Sequence, residues 1–593
     1  MLAPLERARG ILKILALRFG TGSLLMNDFV PPAPPPPPAL LGPLPPPPPR
    51  AVSTEDLMSR GFFHDRVIPA LSSHGLSLVM QEPISFSNGD RQFVSGFWRT
   101  SCPTRCVRHS YPKRRLSRRI LSIPHPRNQI HVAQEVAAHW WELLTICKES
   151  TISLTTPKLS SKRALQGMHE RNAEGVERAL RSVGSRYVLH ADLSRFYPSI
   201  YTHSIPWAIH GKNRHHERGP NLFGNLIDLW VRETQAKQTG GIPVGPDTSY
   251  LIAEVIASRI DGELSAALGG LRGTRYIDDY HLYFENRADA DKALSELHRI
   301  AGTFELDIND LKTSIEDVPE SIEPDWKTQL RAVFIAKKDH ATSFKAVFDL
   351  AASLAATNPQ DGVFAYLTKK IEAVVAKRTL ADADWAVLNA LLLRAAVGEP
   401  SCLPIVLRIF EHHTQFPDGV ASALNSICIH HAQLQQASEV AWALWGAKKL
   451  NTHLSQETAN AVELVPDDVV ALAALDLHSS GFLPTPSLDF ASWRSFMDGE
   501  NLYTEHWLLA YEAYVQQWLP SLNGHNYVLS DPYFSILARG NVRFFDTSED
   551  VEVPEDEGYD EDTDEDEEED EEDDEEDDEE DDEEPEDEEE DNE

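Results

Sequence analysis

The chain has 593 residues, of which 41% are hydrophobic and 25% are charged, and its formal net charge is −40. This length and apolar content allow several folded domains. No apolar run reaches the roughly 18 residues of a membrane span, and the five cysteines form no even, closely spaced framework. Composition therefore argues against an integral membrane protein and against a disulfide-bonded secreted domain. We expect a cytoplasmic protein without a membrane partner.

The excess negative charge lies at the C-terminus. Residues 560–593 contain 31 acidic residues and no Lys or Arg, which leaves 63 acidic and 54 basic residues, a net charge of −9, in the rest of the chain. Such a polyanion cannot bury enough apolar surface to fold. We predict a disordered acidic tail over residues 546–593, which could serve as a solubility tail or as a ligand for basic surfaces of the same chain.

Proline dominates the N-terminal segment, residues 1–55, mainly between residues 31 and 49. This composition favours an extended polyproline II segment without a core. The segment could bind an aromatic-lined groove or act as a passive linker. We expect ordered structure to begin near Thr54.

A basic run follows in the mixed helix and strand region of residues 56–186. Eight Lys and Arg residues and no acid fall between Ser101 and Arg127. We interpret the run as a phosphate-facing surface rather than a generic basic face. Cys102, Cys106 and His109 have spacing that could suggest zinc, but no fourth ligand is apparent, so we interpret them as separate side chains.

Helix and strand signals alternate through residues 134–335. Residues 134–146 carry a partly helical apolar face, and the apolar run 187–191 predicts a buried strand that ends at Asp192. Runs of β-branched and aromatic residues at 274–277 and 280–284 predict two strands joined by a tight Asp-Asp turn. Between these strands, apolar residues recur every fourth position, at Ile252, Ile256, Ile260 and Leu264, and predict a helix under the sheet.

The carboxylates of Asp192, Asp278 and Asp279 are thereby brought to neighbouring strands. Hard cations take oxygen ligands, and two-metal phosphoryl-transfer sites hold their ions roughly 3.5–4 Å apart. A solvated turn explains a single Asp-Asp pair, but it does not explain strands on both sides of that pair. We predict a site for two Mg²⁺ ions, with Asp192 and Asp278 bridging and Asp279 binding or orienting.

Five segments resemble, in the same order, the motifs of reverse transcriptases. They are the finger strand that meets the triphosphate (119–126), the first palm aspartate (192–201), the loop-to-helix motif (241–249), the Tyr-x-Asp-Asp box (276–279) and the lysine motif (309–313). The resemblance covers about residues 58–335. Residues 201–207 and 210–212 look most like bacterial abortive-infection and defence-associated reverse transcriptases.

The resemblance implies an α+β fold shaped as a right hand. Residues 56–186 would form the fingers and residues 187–335 a palm with an antiparallel sheet and the catalytic aspartates. Residues 336–545, rich in Ala and Leu with helical spacing, would form a mostly α-helical thumb and C-terminal domain. No clean repeat period is visible there, so a helical solenoid stays open.

The resemblance also implies roles for single residues. The carbonyl of Leu193 joins the three aspartates as a metal ligand, and Lys312 protonates the leaving pyrophosphate unless it is a surface lysine. Tyr197 lies under the sugar of the incoming nucleotide and excludes a 2′-hydroxyl by bulk; the alternative is that Phe196 does so and that Tyr197 is ordinary core.

Arg119 is expected to bind the triphosphate, because a guanidinium presents paired donors to phosphate oxygens. Lys113 or Arg115 is expected to contribute to this binding. Gly245 and Pro246 resemble the loop that lies against the template and base pair. This chain carries Val244 where many relatives carry glutamine.

We therefore expect a reverse transcriptase, an RNA-directed DNA polymerase that uses two Mg²⁺ ions, deoxynucleotides and an RNA template to make DNA, in bacterial antiphage defence. The alternatives are template-independent or protein-primed synthesis of the abortive-infection type, and a polymerase relic that binds RNA. Tyr197 and Tyr276 argue against an RNA-directed RNA polymerase. The sequence leaves oligomerisation open.

Overall fold

The computed structural model describes most of the chain between the proline-rich segment and the acidic tail. The described residues are 50–81, 84–85, 91–92, 101–114, 117–169, 173–212, 222–336, 341–359, 361–376, 380–411 and 419–548. The predictions for residues 1–49 and 549–593 lie outside them. The first helix begins at Thr54, where the Ser53 side chain accepts a hydrogen bond from the amide of Asp56 and caps the helix.

The strands within these ranges are short and all of their pairings are antiparallel. They are β1 Ile84–Ser85, β2 Arg91–Gln92, β3 Val107–Arg114, β4 Ser117–Ile123, β5 Pro157–Leu159, β6 Leu165–Gly167, β7 Tyr187–Asp192, β8 Gly273–Tyr276, β9 Asp279–Phe284 and β10 Ser314–Asp317.

The helices before β10 are α1 Thr54–Ser59, α2 His74–Gln81, α3 Pro126–Ala138, α4 Trp140–Cys147, α5 Ala173–Ser182, α6 Phe196–Ser199, α7 Ser204–His210, α8 Phe223–Glu233, α9 Asp247–Leu268 and α10 Arg287–Thr303.

After β10 the described chain contains only helices. They are α11 Asp325–Ala336, α12 Ala341–Thr357, α13 Val363–Ala376, α14 Asp382–Gly398, α15 Leu403–Glu411, α16 Val420–Gln433, α17 Ala437–Lys449, α18 Gln456–Val462, α19 Asp468–Ser479, α20 Ala491–Arg494, α21 Trp507–Val515, α22 Tyr527–Ser530 and α23 Phe534–Arg539. No helix in the described part combines the length and hydropathy needed to cross a membrane.

A four-stranded sheet with the order β10-β7-β9-β8 forms the centre of the fold. Helix α10 packs against β7, β9 and β10, and α9 packs against α10. The apolar positions predicted for α9 are buried, with Ile256, Ile260 and Leu264 at 0% exposure. The fold is thus α+β, with the antiparallel palm sheet and the helical C-terminal region that the sequence predicts.

Two local predictions were wrong in detail. The helix predicted over 134–146 is two helices, α3 and α4, which meet at His139 (φ −115°, ψ 25°). The His139 ring stacks on Phe223 with centroids 3.8 Å apart. The turn between β8 and β9 consists of Ile277 and Asp278, because Asp279 already pairs with Tyr276 as the first residue of β9.

A buried arginine ties the sheet to α9. The guanidinium of Arg275, at 0% exposure, donates from Nε to Asp261 Oδ2 at 2.8 Å, from Nη2 to Glu254 Oε1 at 2.7 Å and from Nη1 to the carbonyl of Ile277 at 2.8 Å. Further bonds run to Glu254 Oε2 and Ser258 Oγ. These contacts satisfy the fork of guanidinium donors inside the protein.

Most of the C-terminal helices contact the helix two places later: α11 with α13, α12 with α14, α13 with α15, α14 with α16, α15 with α17, α16 with α18, α17 with α19 and α19 with α21. This nearest-neighbour pattern is that of a helical solenoid. The sequence left this arrangement open because sequence-level repetition is absent.

The far end of this helical stack packs on the β3–β4 hairpin, where α17 and α19 contact β3. Arg118 forms a bidentate ion pair with Glu439 of α17 (Nη2–Oε2 2.8 Å), and Arg105 reaches Glu505 at 3.1 Å. Nδ1 of His109 lies 3.0 Å from the Asp467 carboxylate. The interpretation of the basic run as one phosphate-facing surface was therefore wrong for Arg105 and Arg118, which bind the helical stack.

The last described segment, at residues 544–546, pairs with residues 70–72 near the start of the described chain. The amide of Ser72 donates to the carbonyl of Phe544 at 3.0 Å, and the amide of Asp546 donates to the carbonyl of Ala70 at 2.7 Å. The amide of Phe544 donates to Glu512 Oε2 at 2.9 Å. Burial raises the pKa of the Glu512 carboxyl to about 7, although hydrogen bonds from the Phe544 amide and the Gln516 side chain act against the shift.

Arg275→Met should destabilise the sheet strongly, because it leaves Glu254 and Asp261 buried without their cation. We expect a loss of about 3–5 kcal/mol in unfolding free energy. Thermal melts and amide hydrogen exchange of β8 and β9 would measure the loss. The control Arg272→Met removes an exposed arginine near the start of β8 and should melt close to wild type. Equal melting of both variants would contradict the structural role.

Glu512→Gln should remove a pH dependence of stability. The native carboxyl keeps its proton up to a pKa of about 7, whereas an unfolded Glu titrates near pH 4.3. Wild-type stability should therefore fall as pH rises from about 4 to 7, by roughly 3 kcal/mol, relative to the glutamine variant. Melting temperatures of wild type and Glu512→Gln measured across this pH range test the loss. The control Glu457→Gln, at an exposed position, should follow wild type. If the melting temperatures of Glu512→Gln and wild type change with pH in parallel, the assignment is refuted.

Candidate active site

Three carboxylates meet at one end of the central sheet. Asp192 is the last residue of β7 and lies directly opposite Asp279, the first residue of β9, while Asp278 lies in the turn before it. One carboxylate oxygen from each of the three lies within 4.8 Å of the others. Two separate strands thus bring together the residues that the sequence predicted to meet.

The turn that carries Asp278 is held in an unfavourable conformation. Ile277 has φ 58°, which is rare for a β-branched residue. Its amide donates to Thr155 Oγ1 at 3.2 Å, and its carbonyl accepts from Arg275. The carbonyl of Asp278 accepts from the amide of Leu193 at 3.1 Å. Bonds on three sides therefore fix the position of Asp278 against local strain.

Lys312 and Asn309 bind the aspartate of β7. Lys312 Nζ donates to Asp192 Oδ2 at 2.6 Å and lies 3.8 Å from Asp279 Oδ1. Asn309 Nδ2 donates to Asp192 Oδ1 at 3.0 Å. The lysine predicted to meet pyrophosphate thus contacts the carboxylates in this structure. Asn309 belongs to the lysine motif, but the sequence predicted no role for it.

The electrostatics of the carboxylates follow from their crowding. Burial and then the charge of Asp278 raise the pKa of Asp279 to about 7, and burial followed by Asp192 raises the pKa of Asp278. Burial also acts to raise the pKa of Asp192, but hydrogen bonds from Asp279, Lys312 and Asn309 hold it below its ordinary value. Ionising all three carboxyl groups at once costs free energy unless additional positive charge is nearby.

This donor set fits hard divalent cations. It offers carboxylate oxygens alone, which Mg²⁺ prefers, and the repulsion that raises two of the pKa values is what such a cation would relieve. Among the described residues, these three form the one group with ligand atoms close enough for a metal site. The cysteines fit no metal site there: Cys106 Sγ contacts the Thr234 carbonyl at 3.3 Å.

The aspartates open into a cavity of about 440 Å³ with four walls. The sheet and the turn between β8 and β9 supply Asp192, Tyr276, Ile277, Asp278 and Asp279, and the segment before β10 supplies Lys312; the β3–β4 hairpin supplies Tyr111, Pro112, Lys113, Arg119 and Leu121. Helices α11 and α13 and the residues before them supply Pro324, Trp326, Lys327, Asp361, Gly362 and Tyr366, and the segment before α2 supplies His64 and Arg66. This volume lies in the range of small-molecule sites.

The hairpin wall brings cations towards the carboxylates. Arg119 of β4 pairs with Tyr111 of β3, and Lys113 lies near the end of β3. Burial lowers the pKa of Lys113, and the positive charges of Arg119 and Lys312 lower it further. Both predicted phosphate-binding residues therefore line the same cavity as the aspartates. Arg115 lies outside the described residues.

The proposed sugar-contacting ring lies one residue from a core ring. Phe196 is only 2% exposed, whereas Tyr197 is partly buried against the core. Burial, and then the charge of Asp278, raise the pKa of Tyr197. Tyr197 is thus the more accessible of the two aromatic side chains, but it is not among the residues that line the cavity.

The loop before α9 is positioned by close backbone contacts. Gly241 has φ 81°, and a Cβ there would lie 3.0 Å from the carbonyl oxygen of Pro198. Gly245 has φ 148°, and a Cβ there would lie 3.2 Å from the carbonyl oxygen of Ser122 in β4. Glycine is required at both places. Pro246 is buried before α9, and neither Gly245 nor Pro246 is among the residues that line the cavity.

Several cavity residues were not predicted. Trp326 and Tyr366 come from helices whose sequence shows only core-like aromatics, and Trp326 Nε1 donates to Asp361 Oδ2 at 2.9 Å. His64 and Arg66 lie in an irregular segment without a motif. The run of eight basic residues between Ser101 and Arg127 was the closest sequence signal for these cavity residues, and it indicated the hairpin alone.

Comparison with known proteins identifies the central part of the chain. Residues 142–333 match the family model described as reverse transcriptase (RNA-dependent DNA polymerase). No curated protein matches the chain.

Among solved structures, apo telomerase from Candida tropicalis has a TM-score of 0.30 at 9% identity, with 69% of this chain and 72% of that chain covered. Telomerase from Candida albicans, in complex with a TWJ fragment of telomeric RNA, has a TM-score of 0.27 at 11% identity, with 61% and 68% covered. These scores are too low to carry an argument. The family match includes all three aspartates and Lys312, so the carboxylate site lies within the part of the chain that is similar to reverse transcriptases.

Proposed function

We propose that the chain is an Mg²⁺-dependent RNA-directed DNA polymerase that adds deoxynucleotides to a 3′-hydroxyl. The observation that carries this proposal is the meeting of Asp192, Asp278 and Asp279 in a cavity that Lys113 and Arg119 also line. Carboxylates on one side and cations on the other suit a substrate that brings both metal ions and a triphosphate.

The aspartates would hold two Mg²⁺ ions, which supply positive charge for the attacking and leaving oxygens when bound. Asp192 and Asp278 come from different segments and would hold the ions between them. Asp279 would bind a metal ion or orient the neighbouring ligands. The carbonyl of Leu193 is the proposed backbone ligand. Asn309 and Lys312 keep Asp192 ionised and oriented.

The remaining residues bind and orient the nucleotide. Arg119 and Lys113 are proposed to contact the triphosphate, and Lys312, now paired with Asp192, would supply a proton to pyrophosphate after a small movement. Tyr197 is proposed to lie against C2′ and reject ribose. Gly245 and Pro246 are proposed to border the template base from outside the cavity.

The biological setting we propose is bacterial antiphage defence in the cytoplasm, with RNA as template and DNA as product. The resemblance of residues 201–207 and 210–212 to abortive-infection enzymes supports it. Within that group, template-independent or protein-primed synthesis is the second candidate. Incorporation assays with and without RNA, using dNTPs or rNTPs, distinguish these activities from an RNA polymerase and from a relic that only binds RNA.

Asp278→Asn should reduce nucleotide incorporation on the order of 10²–10³-fold or more, because a ligand of the charge-stabilising site is lost. The same variant should melt at a higher temperature than wild type without Mg²⁺, because burial and the neighbouring Asp192 raise the pKa of Asp278 and make its charge costly. Single-nucleotide extension and thermal melts measure the two effects.

The matched control is Asp317→Asn, at an exposed position at the end of β10 in the same sheet. It should retain wild-type incorporation. Activity of Asp278→Asn near the wild-type rate would end the two-metal assignment, whatever the melts show.

Tyr197→Ala should narrow the preference for dNTPs over rNTPs, since the proposed exclusion acts by bulk; we expect a change of about 10- to 100-fold in the ratio of kcat/KM values. Tyr197→Phe keeps the ring and should keep the ratio. An unchanged ratio in the alanine variant would move the exclusion of ribose to another residue.

A further inference from the structure

A segment without any recognised motif forms one wall of the cavity. We name residues 61–67 the N-terminal arm. Its residues His64 and Arg66 line the cavity together with Arg119, Lys113 and the three aspartates. The arm precedes the family match at residues 142–333, so that match assigns it no role.

The arm packs against the C-terminal segment at Phe544 and against the loop that leads into α9. Phe62 is fully buried and its ring stacks near Phe544 with centroids 6.3 Å apart. The carbonyl of Gly61 accepts a hydrogen bond from the amide of Asp247, the first residue of α9, at 2.8 Å. A Cβ on Gly245 would lie 3.6 Å from the Cβ of His64. Packing and hydrogen bonding therefore fix the position of the arm.

Helix α17 holds the arm and the hairpin together. Trp442 Nε1 donates to the carbonyl of Arg66 at 3.3 Å. One turn earlier, Glu439 forms its ion pair with Arg118 of β4, the neighbour of Arg119. Successive strand residues point to opposite faces, so Arg118 anchors the strand while Arg119 lines the cavity.

The arm carries both an acidic side chain, Asp65, and a basic side chain, Arg66. The Asp65 carboxylate contacts His64 Nδ1 and lies 3.6 Å from Arg163 Nη1. Arg66 extends the cationic wall formed by Lys113 and Arg119. A guanidinium offers a planar pair of donors that matches phosphate oxygens.

We propose that Arg66 is a further ligand for the triphosphate of the incoming nucleotide, and that Trp442 is its positioning residue. The inference rests on the proposed function, because the triphosphate is the polyanion that a nucleotidyl-transfer cavity must hold beside its aspartates. Phosphates of a bound nucleic acid are the other source of this chemistry, and the experiment separates the two.

Arg66→Ala should raise the KM for dNTP about tenfold, as expected for a lost charge-assisted hydrogen bond, with kcat within about twofold. The KM for dNTP of Arg66→Lys should lie between the values for wild type and Arg66→Ala. Isothermal titration with Mg²⁺ and inorganic tripolyphosphate should show the same tenfold loss of affinity without any turnover. Arg299→Ala, which removes an arginine on α10 that does not line the cavity, should match wild type in both measurements.

Trp442→Phe tests the positioning role, since it removes the indole N–H and keeps a ring. It should raise the KM for dNTP by a few fold with kcat unchanged, and restoring tryptophan must restore the KM. A purely structural role would instead lower the amount of active enzyme, and hence kcat, at constant KM; that outcome contradicts positioning.

Unchanged KM and unchanged tripolyphosphate affinity in Arg66→Ala would overturn the proposal. So would a weaker Kd for a primer–template duplex with an unchanged KM for dNTP, because Arg66 would then contact the nucleic acid. If wild type binds Mg²⁺ and tripolyphosphate but incorporates no nucleotide, the proposed function fails while the titration still decides the role of Arg66.

Discussion

The buried guanidinium of Arg275 is the interaction on which the site depends. It joins β8 to Glu254 and Asp261 of α9 and also binds the carbonyl of Ile277. A buried charge of this kind is tolerated only when its partners satisfy it fully. The same bonds hold the strained turn that presents Asp278. Fold stability and the geometry of the carboxylates are therefore set by one network, and neither can change without the other.

A second constraint comes from the other end of the chain. The helical stack begins beside the sheet at α11, where Trp326 faces the aspartates, and ends on the β3–β4 hairpin through α17 and α19. The stack thus links both sides of the cavity. Because Glu439 binds Arg118 while Trp442 binds the N-terminal arm, a single helix positions two walls that are far apart in sequence. The helical region is part of the site's architecture rather than an appendage.

The sequence predicted the parts of the site whose signals are local. Strand ends, the period of α9 and the order of the motifs place the three aspartates together, because strand pairing follows from short-range pattern. Those signals did not place the turn at Ile277, since a β-branched residue at positive φ contradicts local preference and depends on Arg275. They also missed Arg66, Trp326 and the partners of Arg118, because long-range packing leaves no periodic mark. Burial and ion pairing decided those positions.

The pairing of residues 70–72 with residues 544–546 has a consequence for how the protein matures. A ribosome releases the N-terminal arm early, but the strand-like partner that supports its base is among the last of the described residues to be made. Glu512 and Phe544 join the same closing contact. During synthesis the aspartates and the hairpin can assemble while this wall of the cavity still lacks its support. Completion of the cavity is therefore tied to completion of the folded chain, so that truncated products retain the motifs without the full enclosure.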